Sequence, residues 1–396
     1  MQLIIVYSLT AGGLLLLLLA TLSTPRKVNL NANYWLSLFL FSFCCAVFDR
    51  VLFDAEAYVK YPLLEGLIEV TRFAMAPALY FSVLFDTTPH RKFKTKDAIH
   101  FVPFFLFLIY ILVLVFDLHG STLFYWYVDL PDAIHRGVAI SVFSSIKVQM
   151  ITYWILSYVQ LHRHTRNIPT FASTLEPISL SWMRYFLLGL AVAVFLSLNE
   201  VLAFVPAIIP ITHFGYLALV LYLGYFSLRQ QEIYPYQTQD IVQIHDILQT
   251  GNQGVRTQRF SGEELSTAKE RLLLVMETEK AHLDPHLGLP QLAVQTGLST
   301  HDLSFVINEG FGENFFQFIN RYRVVEAKRL LLSSKHKHLS ILGIAFDSGF
   351  RSKSTFNTTF RRFTGLSPSE FMRSPENIDN EVNEDNEEND KRRSVG

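Results

Sequence analysis

Cysteine is nearly absent from this sequence, with two residues among 396. The two, Cys44 and Cys45, are adjacent inside an apolar stretch, and neighbouring cysteines rarely form a structural disulfide. A small fold held together by disulfide bonds is therefore excluded. Charged residues are also scarce, at 17% against the roughly one quarter that is usual in soluble domains. This deficit is local, because apolar runs dominate only up to about Leu228, and it marks the main domain boundary.

Patterns typical of an enzyme or of a metal site are lacking as well. Nucleophile elbows, HExxH zinc motifs and Gly-rich phosphate loops do not occur. His162 and His164 form the sequence HRH, which we place in a loop, but a zinc site needs three or four ligands and no neighbour completes one. We therefore expect neither catalysis, nor a bound metal, nor a cofactor.

What the N-terminal part does contain is seven apolar segments, each close to the roughly 20 residues that a bilayer-spanning helix needs. They cover residues 3–22, 34–53, 63–85, 98–116, 138–158, 182–205 and 208–228. The first 20 residues have no Lys or Arg and no clear A-x-A site, so we interpret the first segment as a span rather than a cleaved signal peptide. The sequence thus predicts an all-α protein whose residues 1–228 form a seven-helix transmembrane sensor bundle.

The basic residues between the segments predict how this bundle is oriented. The first, third and fifth loops together carry eight Lys/Arg, whereas the second, fourth and sixth carry two. Because cytoplasmic loops are enriched in Lys and Arg, we expect the odd loops inside and the N-terminus outside. Seven crossings then put the C-terminal part in the cytoplasm.

Ionisable residues inside the apolar segments are costly and usually mark function. Glu65, Glu69 and Arg72 share one helical face by their spacing, and Asp49 ends the second segment. Two interpretations remain open: charges that neutralise one another and hold the bundle together, or a polar cavity, open to the outside, that binds a ligand. The candidate sensor residues are Glu65, Glu69, Arg72, Lys147, Glu200 and His213.

The polar residues 229–280 are interpreted as a cytoplasmic linker with amphipathic helices. The sequence SGEEL gives a capping box between Ser261 and Glu264, which predicts a helix to about His282. Packing of this helix against the following domain and a homodimer contact are both open. The last residues, 374–396, hold 8 Asp/Glu against 3 Lys/Arg and few apolar residues, which predicts a disordered acidic tail.

Residues 281–373 contain an internal repeat with a period of about 52 residues. In each copy an Ala precedes a Gly by four positions, and the turn then reaches a Ser that can cap the next helix. These residues are Ala293, Gly297 and Ser299 in the first copy and Ala345, Gly349 and Ser352 in the second. A small residue permits close crossing of helices and Gly supplies a positive φ, so each copy predicts a helix-turn-helix.

Helical spacing separates the buried and exposed faces of this region. Expected in the core are Leu303, Val306, Ile307, Phe356, Phe360 and Phe363. Between the copies, Asn314 to Leu332 reads as one helix about 28 Å long, which approaches the roughly 34 Å between successive major grooves on one face of DNA. The region holds 11 Lys/Arg against 7 Asp/Glu, a local positive charge that suits a nucleic-acid partner.

This region resembles the DNA-binding domain of the AraC/XylS family of transcription regulators. The matching stretches are LDPHLGLPQLA, LSTHDLSFVINEGFGENFFQFINRYRVVEAKRLL and IAFDSGFRSKSTFNTTFRRFTGLSPSEFM, which lie within residues 281–373. The resemblance implies a module of seven helices that binds double-stranded promoter DNA and usually activates RNA polymerase. It implies base reading by His301, Ser304, Phe305, Lys353, Ser354, Asn357 and Thr358, and phosphate contacts by Arg361 and Arg362.

Two departures from the family bear on function. The first recognition helix has few long polar side chains and carries Asp302, so weak base specificity is expected there. The N-terminal part looks like a membrane-embedded variety and not like the soluble cupin-like sensor common in the family.

We therefore expect a one-component transcription regulator in a bacterial cytoplasmic membrane. An external or membrane-dissolved signal would act through Arg229 to Lys280 on dimerisation or DNA affinity. The alternative is a membrane transporter or channel with a regulatory helix-turn-helix module. The lack of a repeat between the halves of the bundle and of broken helices argues against it.

Overall fold

The computed structural model describes residues 2–23, 30–88, 91–117, 132–173, 180–199, 205–229, 260–333 and 339–373. Within these ranges the chain is helical, and its β structure is limited to an isolated antiparallel bridge between Ala172 and Gly288. The all-α class is thereby confirmed for the described part of the chain. The chain divides into two compact units, Met1–Thr165 with Ser179–Pro235, and Arg166–Ile178 with Tyr236–Gly396.

The first unit is built from long apolar helices that correspond to the seven predicted segments. They are α1 (Gln2–Ser23), α2 (Leu30–Asp54), the short α3 (Ala57–Lys60), α4 (Pro62–Thr87), α5 (Val102–Asp117), α6 (Asp132–Asn167), α7 (Ser181–Ser197) and α8 (Ile208–Arg229). The last two residues of α6 belong to the second unit.

Five stretches of described residues are long and apolar enough to cross a membrane. They are Leu3–Ser23, Leu30–Asp54, Leu64–Thr87, Thr95–Val113 and Ile208–Phe226. α7 is apolar but has only 17 residues, and α6 is not among the five. A count of seven spans therefore stays a prediction.

Aromatic side chains fill the core on one side of this first unit. α2 packs against α1 and α4, and α1 also packs against α8. The ring of Trp35 on α2 lies 4.9 Å from that of Phe81 on α4 and 5.4 Å from that of Phe101. Such ring pairs contribute stabilisation beyond their buried area, so this cluster fixes how α2 meets α4.

α6 is longer than the apolar segment that predicts it. Because it continues to Asn167, His162 and His164 lie on a helix, and His164 is buried. Placing them in a loop was wrong, since the backbone hydrogen bonds of a helix continue past the point where its side chains become polar. The indole Nε1 of Trp154 donates to the carbonyl oxygen of Leu187 at 2.7 Å and thereby fastens α6 to α7.

The second unit contains seven α-helices in its described C-terminal part. They are α9 (Gly262–Leu274), α10 (Leu289–Thr296), α11 (Thr300–Phe311), α12 (Phe315–Leu332), α13 (Ile341–Asp347), α14 (Lys353–Thr364) and α15 (Pro368–Arg373). The predicted capping box begins α9, because the amide of Glu264 donates to Ser261 Oγ and the amide of Ser261 donates to Glu264 Oε2. α9 packs against α11, so the chain ahead of the repeat contributes a helix to this unit.

Both predicted helix-turn-helix copies are formed. α10 and α11 meet at Gly297, whose φ is +67°, and α13 and α14 meet at Gly349, whose φ is +86°. The side chains of Ser299 and Ser352 cap α11 and α14, as the sequence predicts. The positive φ at each turn explains why glycine stands there.

The core positions predicted for α11 and α14 are correct with one exception. Buried as expected are Leu303, Val306, Ile307, Phe356 and Phe360. Phe363 is 36% exposed, so its prediction as a core residue was wrong. The buried stripe of α14 instead includes Thr359 and stops at Phe360, whose ring meets that of Phe371 on α15 with centroids 5.4 Å apart. α14 ends one turn later, at Thr364, and it has no buried position after Phe360.

Several predictions fall outside the described residues. They concern the acidic tail 374–396, the linker residues 230–259 and Glu200.

Gly349 should tolerate no side chain, for two separate reasons. Its φ is positive, and a Cβ there would lie 2.4 Å from the carbonyl oxygen of His282. We expect Gly349→Ala to lower the unfolding free energy of the second unit by about 3 kcal/mol or more, because strain and a clash with backbone add. Hydrogen exchange of α13 and α14 amides in the full chain would measure this.

Gly365→Ala is the matched control for that change. Gly365 also has a positive φ, of +76°, but a Cβ there would meet nothing within 4 Å. Its cost should stay near the roughly 1–2 kcal/mol of the left-handed conformation alone. Equal losses from the two variants would contradict the proposed clash.

His282 should make the second unit sensitive to acid. The pKa of its imidazole is lowered to about 4, chiefly by burial. The positive charges of Arg323 and Lys280 also lower this pKa, whereas the carboxylate of Glu326 raises it. The unfolded chain binds this proton near pH 6.5 and the folded chain near pH 4, so stability is full above pH 6.5 and falls as the pH drops towards 4. Thermal unfolding of the full chain at pH 7.5 and pH 5 would measure the loss.

The comparison variant is His282→Gln, which removes the titrating group. Between pH 7.5 and pH 5 its free energy of unfolding should fall by about 1–2 kcal/mol less than that of the unaltered chain, with solvent screening taken into account. The same loss in both chains would show that His282 is not the source.

Candidate nucleic-acid interface and ligand cavity

The second recognition helix, α14, carries one continuous polar and basic face. Its members recur at i, i+1, i+4, i+5, i+8 and i+9, a spacing that keeps side chains on one side of a helix. They are Lys353, Ser354, Asn357, Thr358, Arg361 and Arg362, all exposed except the half-buried Asn357. The structure therefore brings together every residue predicted for DNA contact in the second copy.

The first recognition helix, α11, offers much less to a partner. Ser304 is buried, and its hydroxyl accepts a hydrogen bond from Asn308 Nδ2 at 3.4 Å. Phe305 is half-buried, and its ring stacks on that of Phe260 with centroids 5.7 Å apart. His301 is half-buried as well. Base reading by these residues stays a prediction, and the burial of Ser304 does not favour it.

The connecting helix α12 sets the distance between α11 and α14. Its 18 residues give a length of about 27 Å, and α11, α13, α14 and α15 all pack against it. The capping of α12 by Asn314, which accepts a hydrogen bond from the amide of Gln317 at 2.9 Å, fixes its first turn. Two recognition helices mounted on one rigid helix can reach successive grooves without a second chain.

Comparison with known families agrees with this arrangement. Residues 292–374 match the family described as "Helix-turn-helix domain". The C-terminal part of the chain therefore contains a helix-turn-helix domain.

The relatives match about a quarter of the chain. The HTH-type transcriptional activator RhaS of Escherichia coli O139:H28 is 29% identical over 106 residues, which are 27% of this chain and 37% of that protein. An uncharacterized HTH-type transcriptional regulator of Staphylococcus aureus strain COL, SACOL0084, is 32% identical over 90 residues, which are 23% of this chain and 12% of that protein. The chain thus spans well under two thirds of either relative. No solved structure matches the chain significantly.

The apolar-helix unit contains a cavity of about 470 Å³ between α2, α4, α6, α7 and α8. Of the candidate sensor residues, it brings together Glu65, Glu69, Arg72, Lys147 and His213. The volume lies within the roughly 300–1,000 Å³ of small-molecule sites.

Arg72 holds the polar end of this cavity together. Its Nη2 lies 2.7 Å from Asp49 Oδ2, and its Nη1 lies 3.2 Å from Glu69 Oε1. The hydroxyl of Tyr58 donates to Asp49 Oδ1. Among the described residues, Glu69 Oε2 and Arg72 Nε are buried and find no hydrogen-bond partner. The charges are thus paired with one another, and the paired residues also line the cavity. One donor, Arg72 Nε, and one acceptor, Glu69 Oε2, stay without a partner in the described part of the chain.

The remaining lining is mostly apolar and aromatic, with Phe39, Phe43, Met75, Trp154 and Leu190 among its members. Lys147 lies on the wall, where its Nζ donates to Ser197 Oγ at 2.9 Å. The cavity therefore has an apolar body with charged groups in its wall. Sequence reasoning did not single out Tyr58, because its partner Asp49 lies on another helix and no local spacing connects the two.

The polar face of α14 should carry most of the DNA affinity. We expect Asn357→Ala to cost about 1–3 kcal/mol of binding and to relax base preference, as loss of a base contact does. Arg361→Ala should weaken binding to all sequences and flatten the salt dependence by about one phosphate contact. Gel-shift titrations of the full chain at several salt concentrations would measure both effects.

Arg329→Ala is the control for charge alone. Arg329 is half-exposed on α12 and pairs with Glu326, with Nη2 2.6 Å from Oε1. Its removal should leave the salt dependence unchanged. A slope that changes equally for Arg329→Ala and Arg361→Ala would contradict a phosphate contact by Arg361.

Proposed function

We propose that this protein is a membrane-bound, one-component transcription regulator whose C-terminal domain binds promoter DNA. The observation that carries the proposal is a pair of helix-turn-helix units on one connecting helix, in a chain that also contains an apolar-helix unit with a charged cavity. The relatives are named as transcription regulators, and this supports the DNA-binding half. RNA polymerase would be the partner at the promoter, and a homodimer remains part of the proposal.

The outer surface of the apolar helices supports a place in a lipid bilayer. Large apolar side chains there are exposed to an extent that water would penalise, as for Leu16 at 70% and Phe195 at 72%. Monomeric soluble proteins rarely expose extended apolar patches of this kind. In lipid the same side chains would be solvated by acyl chains.

The chain connections support the proposed cytoplasmic side for the DNA-binding domain. Residues 166–173 belong to the same compact unit as residues 260–373. Between them the chain passes through α7 and α8, and a pair of crossings returns it to the side where it started. Residues 166–173 and the C-terminal part would therefore lie on one side of the membrane, which supports the prediction from loop charges that the C-terminal part is cytoplasmic.

The cavity of the apolar-helix unit is the proposed signal site. An unused buried donor and acceptor each cost about 1–3 kcal/mol, which a ligand headgroup would relieve by bonding to both. The apolar body of the cavity would hold a hydrocarbon or aromatic portion. We infer a small amphiphilic ligand whose headgroup both accepts and donates hydrogen bonds, such as an amide or a hydroxyl compound.

Replacing the bridging arginine tests this signal site. Arg72→Ala breaks the contacts to Asp49 and Glu69. The chain should still insert and bind DNA, with an affinity fixed in one state, but lose its response to changing growth conditions. The measurement is a reporter driven by a promoter recovered by chromatin immunoprecipitation of the full chain. Expression should vary less than about twofold across conditions, against at least about fivefold for the unaltered chain.

Arg91→Ala is the matched control in the same unit. Arg91 also makes an ion pair of 2.7 Å, with Asp97, but neither residue lines the cavity. It should keep the full response. A response that survives Arg72→Ala, or one that Arg91→Ala abolishes equally, would argue against the cavity as the signal site.

A further inference from the structure

The short stretch of chain after α6 is built into the DNA-binding unit. Ile168–Thr170 form a single 3₁₀ turn, and Phe171, Ala172 and Ser173 follow. Ile168, Phe171, Ala172 and Ser173 are all buried. We name residues 168–173 the docking segment.

The docking segment pairs with the chain that leads into the first helix-turn-helix. Ala172 forms an antiparallel bridge with Gly288, and the amide of Leu289 donates to the carbonyl oxygen of Phe171 at 3.0 Å. The hydroxyl of Ser173 donates to the carbonyl oxygen of Leu287 at 2.6 Å. Leu289 is the first residue of α10, so the segment contacts the helix-turn-helix at its start.

Ser173 also completes the surroundings of a buried cation in the middle of α12. Arg323 is fully buried, and its Nη1 and Nη2 donate to the carbonyl oxygen and the hydroxyl of Ser173 at 3.2 and 3.1 Å. Its other contacts are the carbonyl oxygens of His282 and Asp284, both at 2.8 Å. Asn320 Nδ2 donates to the Ser173 carbonyl as well, at 3.0 Å.

Displacing the docking segment would therefore destabilise the whole DNA-binding unit. Burial lowers the pKa of Arg323 to about 10, which leaves the guanidinium charged at neutral pH. A buried charge that loses two of its four acceptors is strongly destabilised. The same guanidinium lies over the ring of Phe350, in the turn of the second helix-turn-helix, at 5.9 Å. Displacing Ser173 would thus disturb both helix-turn-helix copies through one side chain.

We infer that the groove formed by α12 and the chain leading into α10 is an intramolecular docking surface for residues 168–173, and that through it the state of α6 is conveyed to both helix-turn-helix copies. This inference rests on the proposed function, in which a signal at the cavity of the apolar helices controls DNA binding. The docked segment follows α6 directly, because α6 ends at Asn167 and the 3₁₀ turn starts at Ile168. A shift of α6 must then either carry Ser173 and Arg323 with it or pull the segment out of the groove.

A disulfide across the bridge tests docking in the full chain. Ala172 and Gly288 oppose each other in an antiparallel pair, where Cα atoms lie near the distance that a disulfide spans. With Cys44→Ala and Cys45→Ala as background, Ala172→Cys with Gly288→Cys should crosslink under mild oxidation in nanodiscs. A protease site inserted in residues 236–259 makes the crosslink readable, since the two fragments then stay joined only without reductant.

Thr170→Cys with Gly288→Cys is the off-register control, and it should crosslink at least about fivefold less. Failure of the Ala172–Gly288 pair to crosslink, or equal crosslinking of the control pair, overturns the docking. Neither outcome depends on DNA, so the proposed function is judged separately by whether the unaltered chain binds DNA.

A flexible insertion tests whether the segment conveys the signal. A Gly-Ser-Gly-Ser insert between Asn167 and Ile168 leaves the docking contacts intact but lets α6 move without them. We expect Arg72→Ala to change the DNA dissociation constant at least about fivefold in the parent chain and less than about twofold in the chain with the insert. The measurement is DNA binding by the full chain in nanodiscs, which requires no knowledge of the ligand.

The same insert within residues 236–259 is the matched control, because this stretch also connects the apolar helices with the DNA-binding unit. There the effect of Arg72→Ala should persist. Loss of the effect only with this second insert would overturn the inference in favour of the linker as the route. A parent chain whose DNA affinity does not respond to Arg72→Ala would likewise overturn it, and the docking segment would be a static part of the fold.

Discussion

The DNA-binding unit depends on one buried guanidinium, that of Arg323 in the middle of α12. Arginine offers five donors in a fixed planar arrangement, and this one finds its acceptors in the carbonyl oxygens of His282 and Asp284 and in Ser173. No carboxylate of the described residues forms an ion pair with it, so its solvation comes from backbone and hydroxyl dipoles. A planar cation held in this way fixes two stretches of chain, one around His282 and Asp284 and one at Ser173, relative to α12. The two recognition helices are mounted on that same helix.

Crowding at this point also explains a constraint in the second copy. Gly349 turns the chain between α13 and α14 directly against His282 and Arg323, and any Cβ there would meet the carbonyl that Arg323 uses. The glycine of the first copy, Gly297, has the same need for a positive φ but open space around it. Two turns that are equivalent in sequence thus differ in how strongly the fold restricts them. The second turn is tied to the connecting helix, and it carries the recognition helix with the fuller polar face.

The apolar-helix unit also contains an arginine that joins several partners, but the partners are of a different kind. Arg72 also serves two partners at once, but these are the carboxylates of Asp49 and Glu69, since charges among apolar helices are tolerated mainly as pairs. The pairing does not use every buried polar atom, and the two residues that carry the unpaired ones, Glu69 and Arg72, line a cavity that has an apolar body. Pairing and ligand binding are therefore compatible uses of the same residues. The strength of the pairs would set how much binding energy a ligand must supply to rearrange them.

The sequence by itself determined the features whose signals are local. Apolar runs located the helices of the first unit, the Ala–Gly–Ser spacing located both turns, and periodicity assigned Leu303 and Phe356 to the core. These features follow from backbone geometry and helical repeat, which act over a few residues. Only the tertiary structure decided that Phe363 is exposed and that Ser304 is buried, because helical spacing does not say which positions a neighbouring element covers. It alone joined Ser173 to Arg323, 150 positions away, since a hydrogen bond between distant segments leaves no periodic trace in either one.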